Sequence, residues 1–333
     1  MSDALDLKDA NFEDQPQPDR RGRPGRLPVE GSAKITRRIT TLAVLVGIFL
    51  ALGKYFVWEH SHSVGILSSL VHSGLDLFGA LSSFFAVRYA ARRPDPNYRF
   101  GRGKAESFSA IFQVCLITLG AVHLLEEVVE RLTDPHPLLN SWFAIAMMLV
   151  FIAVTIWLLI AQSWAIRATG SLAVRGDRAH YFADLLANVF VIIGLVLSTY
   201  TSLIWADAAV GGMLALWLLW TAFRVARLAW AQLMDMELNP QERGLIVRLA
   251  GQDPAVKAVR DLRTRASGPH IHIQMRLDLD ETVSLSDSHD IILDAEKRLM
   301  AAFQAADILI YPHPAGCGHD HGNAHFQDTE KNS

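Results

Sequence analysis

The sequence predicts a membrane all-α bundle of six transmembrane helices followed by a small α+β domain. Three observations point there. The apolar residues of this 333-residue chain, 51% of the total, gather into runs of about 20 or more, the length that crosses a hydrocarbon layer. Lysine and arginine crowd alternate links between those runs, the charge asymmetry of membrane helices. Beyond the string MDMELNP, at 234–240, the long apolar runs stop and shorter helix-like and strand-like patterns replace them.

The six spans fall at about 39–58, 64–88, 106–130, 141–165, 179–200 and 204–230. The third, SFSAIFQVCLITLGAVHLLEEVVERL, is the least uniform because its far end is acidic. Before the first span stand Arg20, Arg21, Arg23, Arg26, Lys34, Arg37 and Arg38. Arg88, Arg92, Arg93, Arg99, Arg102 and Lys104 fill the link between spans two and three, and Arg167, Arg175 and Arg178 the link between spans four and five. Arg224 and Arg227 close the sixth span, while the opposite links, EHSHS, TDPHPLLN (after Arg131) and STYTS, are almost bare of lysine and arginine. Both termini are therefore expected in the cytoplasm. The net charge of −3 says little about partners, because the charges are segregated. The two cysteines, Cys115 in an apolar run and Cys317 in the tail, do not make a disulfide framework.

Two polar pairs sit inside this apolar frame. His72 and Asp76 lie four apart in the second span, and His180 and Asp184 repeat that spacing in the fifth. A gap of four stacks two side chains on one helix face, one turn apart. An ionisable group at bilayer depth costs several kcal/mol unless it is partnered, so such groups mark an ion path or a site. Two imidazole nitrogens with two carboxylates form a four-ligand set for a small divalent metal, zinc first.

The tail reads as αββαβ. Asn239-Pro240 is a helix start ahead of QERGLIVRLAG. AVKAVRDLRTRASG is a strand candidate, and HIHIQMRLDLD alternates strictly, with Ile271, Ile273, Met275, Leu277 and Leu279 on one face. LSDSHDIILDAEKRLMAAF has helical period and ADILIYP reads as a short strand. The division expected is a disordered cytoplasmic N-terminus at 1–35, a membrane domain at 36–235, a cytoplasmic domain at 236–314 and a disordered His-containing tail at 315–333.

Over residues 36–314 the chain resembles the cation diffusion facilitator family, through its paired ligands four apart in spans two and five and the strings FGRGKAESF, RAHYFAD and DLRTRASGP. The resemblance implies a transporter rather than an enzyme. It would move a divalent metal, zinc or alternatively iron, cadmium or manganese, out of the cytoplasm in exchange for protons, as a homodimer. No cofactor beyond the transported cation and no nucleic-acid partner is expected, and the setting is a bilayer, in a bacterium the inner membrane. His72, Asp76, His180 and Asp184 would form the transport site. The tail domain would be ferredoxin-like, as in metallochaperones. Lys104 and Asp235 match an ion pair at the family's dimer hinge, whose alternative is two solvated charges at the membrane edge.

Departures from the family pattern narrow the reading. Many bacterial relatives carry an aspartate where this chain has His72, and the extra imidazole favours zinc over harder ions. A second site of some relatives maps to Asp95, Tyr98 and Arg102, where an arginine would repel a cation, so that site is expected to be absent. At the positions of the relatives' tail-domain site stand Arg260, Arg276, His289, Tyr311 and His313, so that site is expected to be lost or rebuilt. His270 and His272, on the polar face of their strand, read first as solvated and otherwise as weaker ligands with His289 or His313. Cys317, His319, His321 and His325 of the tail offer metal capture or nothing, and His60 and His62 are weaker candidates still. Two rivals remain. A membrane metalloenzyme lacks its usual HExxH, and a membrane-anchored metal sensor or scaffold would rest on the tail domain's thin ligand set.

Overall fold

The computed structural model describes residues 22–61, 64–133, 142–200 and 204–316. Six long helices come first: α1 (Val29–Ser61), α2 (Val64–Ala90), α3 (Ala105–Thr133), α4 (Trp142–Thr169), α5 (Leu172–Tyr200) and α6 (Ile204–Leu233). They outrun the apolar windows because a helix continues through its polar ends: α5 begins eleven positions before Ala183, in the sequence LAVRGDRAH, and α1 is 33 residues long. Among the described residues four stretches are long and apolar enough to cross a membrane, Val29–Glu59, Ala105–Glu126, Leu149–Thr169 and Gly211–Leu233. The His–Asp pairs are carried by α2 and α5.

α5 is the hub of the bundle, touching α1, α2, α3, α4 and α6. α1 packs along α2 and α3 along α6. Small residues let the backbones close up, as membrane helices require when lipid is as apolar as the core. Ala43, Ala80, Ala110 and Ala173 are fully buried. At Gly176 a Cβ would come within 3.1 Å of the Ala110 Cα, and at Gly47 within 3.3 Å of the Tyr181 hydroxyl. Large apolar side chains such as Phe85, Phe108, Leu119, Ile160, Trp164 and Phe223 lie outward, on the surface that lipid would cover.

The tail domain is α7 (Pro240–Ala250), β1 (Val256–Ser267), β2 (His270–Leu279), α8 (Leu285–Ala302) and β3 (Ala306–Pro314), the αββαβ order read in the sequence. Asn239 caps α7 by accepting from the Glu242 N–H at 2.9 Å, and Ser284 caps α8 by accepting from the Asp287 N–H at 3.1 Å. β2 is the central strand, antiparallel to β1 and parallel to β3, with α8 as the crossover that parallel pairing demands. Its alternating face, Ile271 to Leu279, packs with Ile246, Leu299 and Phe303 in one core. A bulge between Arg260 and Arg263, with Asp261 at φ 51°, offsets the pairing of β1.

The chain differs from expectation at its start. Part of the segment read as disordered is ordered: α1 begins at Val29, and the residues before it fold back on the rest of the protein. The Gly22 N–H donates to the Arg167 carbonyl at 2.9 Å, Arg26 Nη1 to the same oxygen at 3.0 Å, and Arg23 pairs with Glu242 of α7 at 3.5 Å. Gly22 and Gly25 make the fold-back possible by adopting φ of 75° and 73°, a region other residues avoid.

Where Gly103 meets Ser267 and Gly268, membrane and tail domains touch through backbone. A Cβ on Gly103 would run into the Ser267 carbonyl, and one on Gly268 would sit 2.8 Å from the Gly103 carbonyl oxygen. Gly103→Ala is expected to cost about 1–3 kcal/mol of local stability by overpacking. The readout is faster backbone hydrogen exchange over 100–105 and 264–270, with β3 unchanged.

Candidate metal centre

The pairs on α2 and α5 face each other. His180 Nε2 lies 3.0 Å from Asp76 Oδ1 and 3.7 Å from Asp184 Oδ2. His72 Nε2 lies 3.4 Å from Asp184 Oδ1 and 3.7 Å from Asp76 Oδ1. Each imidazole thus reaches the carboxylate of the other helix as well as its own. Ligand atoms of His72, Asp76 and Asp184 all fall within 4.8 Å of one another, the one such cluster among the described residues. Burial is uneven: the His180 side chain is 4% exposed and that of His72 44%. His180 Nδ1 and Asp184 Oδ2 are buried with no hydrogen-bond partner, so donor capacity and lone pairs are left over. The nearby ammonium whose charge reaches Asp76 and Asp184 is that of Lys54 on α1. Two nitrogens and two carboxylates can hold a small divalent cation in four-fold geometry once the carboxylates spread around it.

A layer of polar groups beneath the cluster was not picked out from the sequence. Asp177, one turn before His180, is fully buried and receives Gln113 Nε2 at 3.2 Å and Gln162 Nε2 at 2.7 Å. Gln113 also donates to Ser83 Oγ at 3.3 Å, and the Tyr181 hydroxyl donates to the Ala43 carbonyl at 3.1 Å. Glu106, at the start of α3, is buried and accepts from Ser171 Oγ at 2.5 Å. The signal for Asp177 was present: it precedes His180 by three and Asp184 by seven, so the three share one helix face.

Residues 40–234 match the cation efflux transmembrane domain family, and residues 238–315 the cytoplasmic domain of cation efflux proteins. The chain is 33% identical over 281 residues to the cation-efflux pump FieF of Cronobacter sakazakii, covering 84% of this chain and 93% of the relative. It is 35% identical over 272 residues to the FieF pump of Shewanella oneidensis, covering 82% and 92%. The chain belongs to the cation diffusion facilitator family. It is a cation-efflux transporter of the membrane, with a divalent cation as its substrate, and not an enzyme. A solved structure of CzrB in its Zn form aligns with 26% of this chain and 99% of its own, at 26% identity and a TM-score of 0.24, too low to bear on the fold.

The transporter's other candidate residues are scattered. Arg102 pairs with Asp95 and stacks on Tyr98, its guanidinium carbon 4.2 Å from the ring centre, so the three positions of the relatives' second site are occupied with one another. His289 is exposed on α8, and His313 Nδ1 lies 3.7 Å from Asp278 Oδ1. Among the described residues, His270, His272, His289 and His313 do not gather into a cluster of three ligand atoms. His62, Cys317, His319, His321 and His325 lie outside the described residues. Lys104 Nζ sits 2.9 Å from Asp235 Oδ2, and Arg265 of β1 reaches the same oxygen at 3.2 Å. Burial would raise the Asp235 pKa, but Lys104 and Arg265 outweigh it and hold the carboxyl below its usual range.

His272 corrects the expectation of a solvated imidazole. It is 5% exposed, because Phe100 of the α2–α3 link packs edge-on to it with ring centres 5.6 Å apart. Its Nδ1 meets Asp307 Oδ2 at 3.0 Å and its Nε2 is buried without a partner. Burial pushes the imidazole below its ordinary 6.5, against the opposing pull of Asp307, and burial lowers His270 likewise. The folded state therefore prefers neutral imidazole, and the unfolded chain binds the proton first as pH falls. Tail-domain stability is expected to be whole above pH 6.5 and to decline as pH drops from 6.5 toward the lowered folded value. Exchange protection across a pH series, corrected for intrinsic rates, should show that decline in the wild type and most of it removed in His272→Gln.

Proposed function

We propose that the transporter exports zinc in exchange for protons through His72, Asp76, His180 and Asp184. The observation that supports this most is the approach of two histidines and two aspartates from α2 and α5 at bilayer depth. Zinc accepts nitrogen and oxygen ligands in tetrahedral array, whereas manganese and magnesium favour oxygen. A metal binds only deprotonated imidazole and carboxylate, so loading from the cytoplasm releases protons. Histidine titrates near neutral pH, where protons and metal compete on even terms. Once the site opens outward, external protons displace the metal and return with the site. Alternating access needs the helices carrying the ligands to move against the rest, since a site open to both sides at once would leak.

Both termini lie in the cytoplasm in this reading, which the distribution of arginine and lysine supports. The tail domain joins two copies, and the Lys104–Asp235–Arg265 group lies at the base of that junction. Binding by the tail histidines or by the terminal His-containing segment is not needed for transport.

The test is zinc uptake into proteoliposomes under an imposed proton gradient, with counter-flow of protons followed by a pH-sensitive dye. Asp184→Ala and His180→Ala are each expected to bring zinc flux to the level of empty vesicles, with normal membrane insertion. Zinc flux at the wild-type rate in Asp184→Ala would refute the assignment. Running iron, cadmium and manganese in parallel decides the preferred ion, and zinc is expected to move fastest. His72→Asp should shift that preference by about tenfold or more toward manganese, because it replaces an imidazole by a harder oxygen ligand.

A further inference from the structure

Asp177 places a carboxyl in the interior of the bundle, outside the four proposed ligands. It is 1% exposed, it sits on the ligand face of α5, and no cation is paired with it among the described residues. A lone carboxylate at that depth is costly, and neutralising it by a proton is the ordinary escape. Its two oxygens instead receive one amide N–H each, from Gln113 of α3 and Gln162 of α4. Both amides are themselves fully buried, and the oxygen of each, Gln113 Oε1 and Gln162 Oε1, has no hydrogen-bond partner. Two orphaned acceptors beside a buried carboxylate are unusual, since buried polar atoms are nearly always satisfied.

We propose that Asp177 is a second proton-carrying group of the transporter, placed on the cytoplasmic side of the four-ligand cluster, and that Gln113 and Gln162 hold it in both charge states. In the charged form each amide donates, as observed. When a proton arrives on one carboxylate oxygen, the amide facing it turns over and accepts the new O–H through the oxygen that is otherwise orphaned. At Gln162 amide and carboxylate exchange donor and acceptor roles with no other hydrogen bond lost among the described residues, whereas a turn of Gln113 also takes its N–H from Ser83 Oγ, which then donates in its place. The site is all oxygen and is lined by two neutral amides, so it suits a proton and offers no nitrogen to zinc. Along α5, Asp177 lies about 4.5 Å before His180 and about 10 Å before Asp184, within reach of one or two bridging waters. This inference rests on proton exchange as proposed above.

The charged groups around Asp177 are few. Its own helix contributes His180 and Asp184 above. Below, Arg175 is turned to the Gly22 carbonyl and Arg178 to Ser163. α3 contributes Glu106, occupied by Ser171, and α2 contributes Ser83 at this level with Asp76 nearer the cluster. α4 presents Gln162.

The experiment uses the full-length protein in proteoliposomes, comparing wild type with Asp177→Asn for zinc binding by calorimetry, zinc uptake across a pH series and counter-flow of protons. Zinc binding is expected to stay within about threefold, while gradient-driven uptake falls about tenfold or more and its pH profile flattens, as when a positioned proton carrier is lost. In infrared difference spectra the carbonyl band of a buried protonated carboxyl should appear in the wild type as pH falls and be missing from Asp177→Asn. Wild-type proton counter-flow and pH profile in Asp177→Asn would overturn this proposal alone. Zinc flux in the wild type without proton counter-flow would overturn the exchange mechanism and this proposal with it. Should Asp177→Asn fail to fold, Gln162→Leu decides: loss of a donor to the charged form should move the uptake midpoint up by about one pH unit, and an unmoved midpoint counts against the proposal.

Discussion

Everything in the membrane half answers to one constraint: four ionisable groups lie within a bundle of apolar helices, three of them largely buried. A charged side chain at the centre of a bilayer costs about 2.5–3.5 kcal/mol on insertion scales. Separately on two helices, the His–Asp pairs would pay that cost four times. Brought face to face, each imidazole meets a carboxylate of the opposite helix, His180 at 3.0 Å from Asp76 and His72 at 3.4 Å from Asp184. The close approach of α2 and α5 is therefore fixed by the site as much as by packing.

That approach explains the placing of small residues and the centrality of α5. A helix bearing Asp177, His180 and Asp184 on one face is badly suited to lipid, and here it touches all five neighbours. Gly176 allows α3 near enough for Gln113 to reach Asp177, and Gly47 makes room for Tyr181 to bond to Ala43. α2 and α5, which carry these groups, pack against each other and against the flanking helices. Cost at the centre and cover at the rim are two sides of one arrangement.

Much of this was legible in the sequence, and the misses have physical reasons. Run length gave the helices, period-two alternation gave β2, and the spacing of four gave the ligands, because each is a local pattern with one structural meaning. His272 was misread because strand alternation tells which face a side chain is on, not what later covers that face. Phe100, 172 positions earlier in the chain, does the covering. The segment after Gly22 looked unstructured by composition, yet it is held by arginine contacts to a backbone carbonyl, which leave no trace in hydrophobic pattern. Asp177 was passed over because a search for pairs four apart does not see a third residue at three and seven. Its amide partners come from two other helices that only the fold brings near.

The contact between Gly103 and Gly268 has a mechanical meaning. Where side chains lie between two bodies, they can shift rotamers and absorb small displacements. Here the α2–α3 link just ahead of α3 and the β1–β2 turn meet peptide against peptide, with Lys104, Asp235 and Arg265 clasped alongside. Such a joint has almost no slack. A shift at the start of α3 therefore bears on the β1–β2 turn directly, with no side chain between the two peptides to take it up.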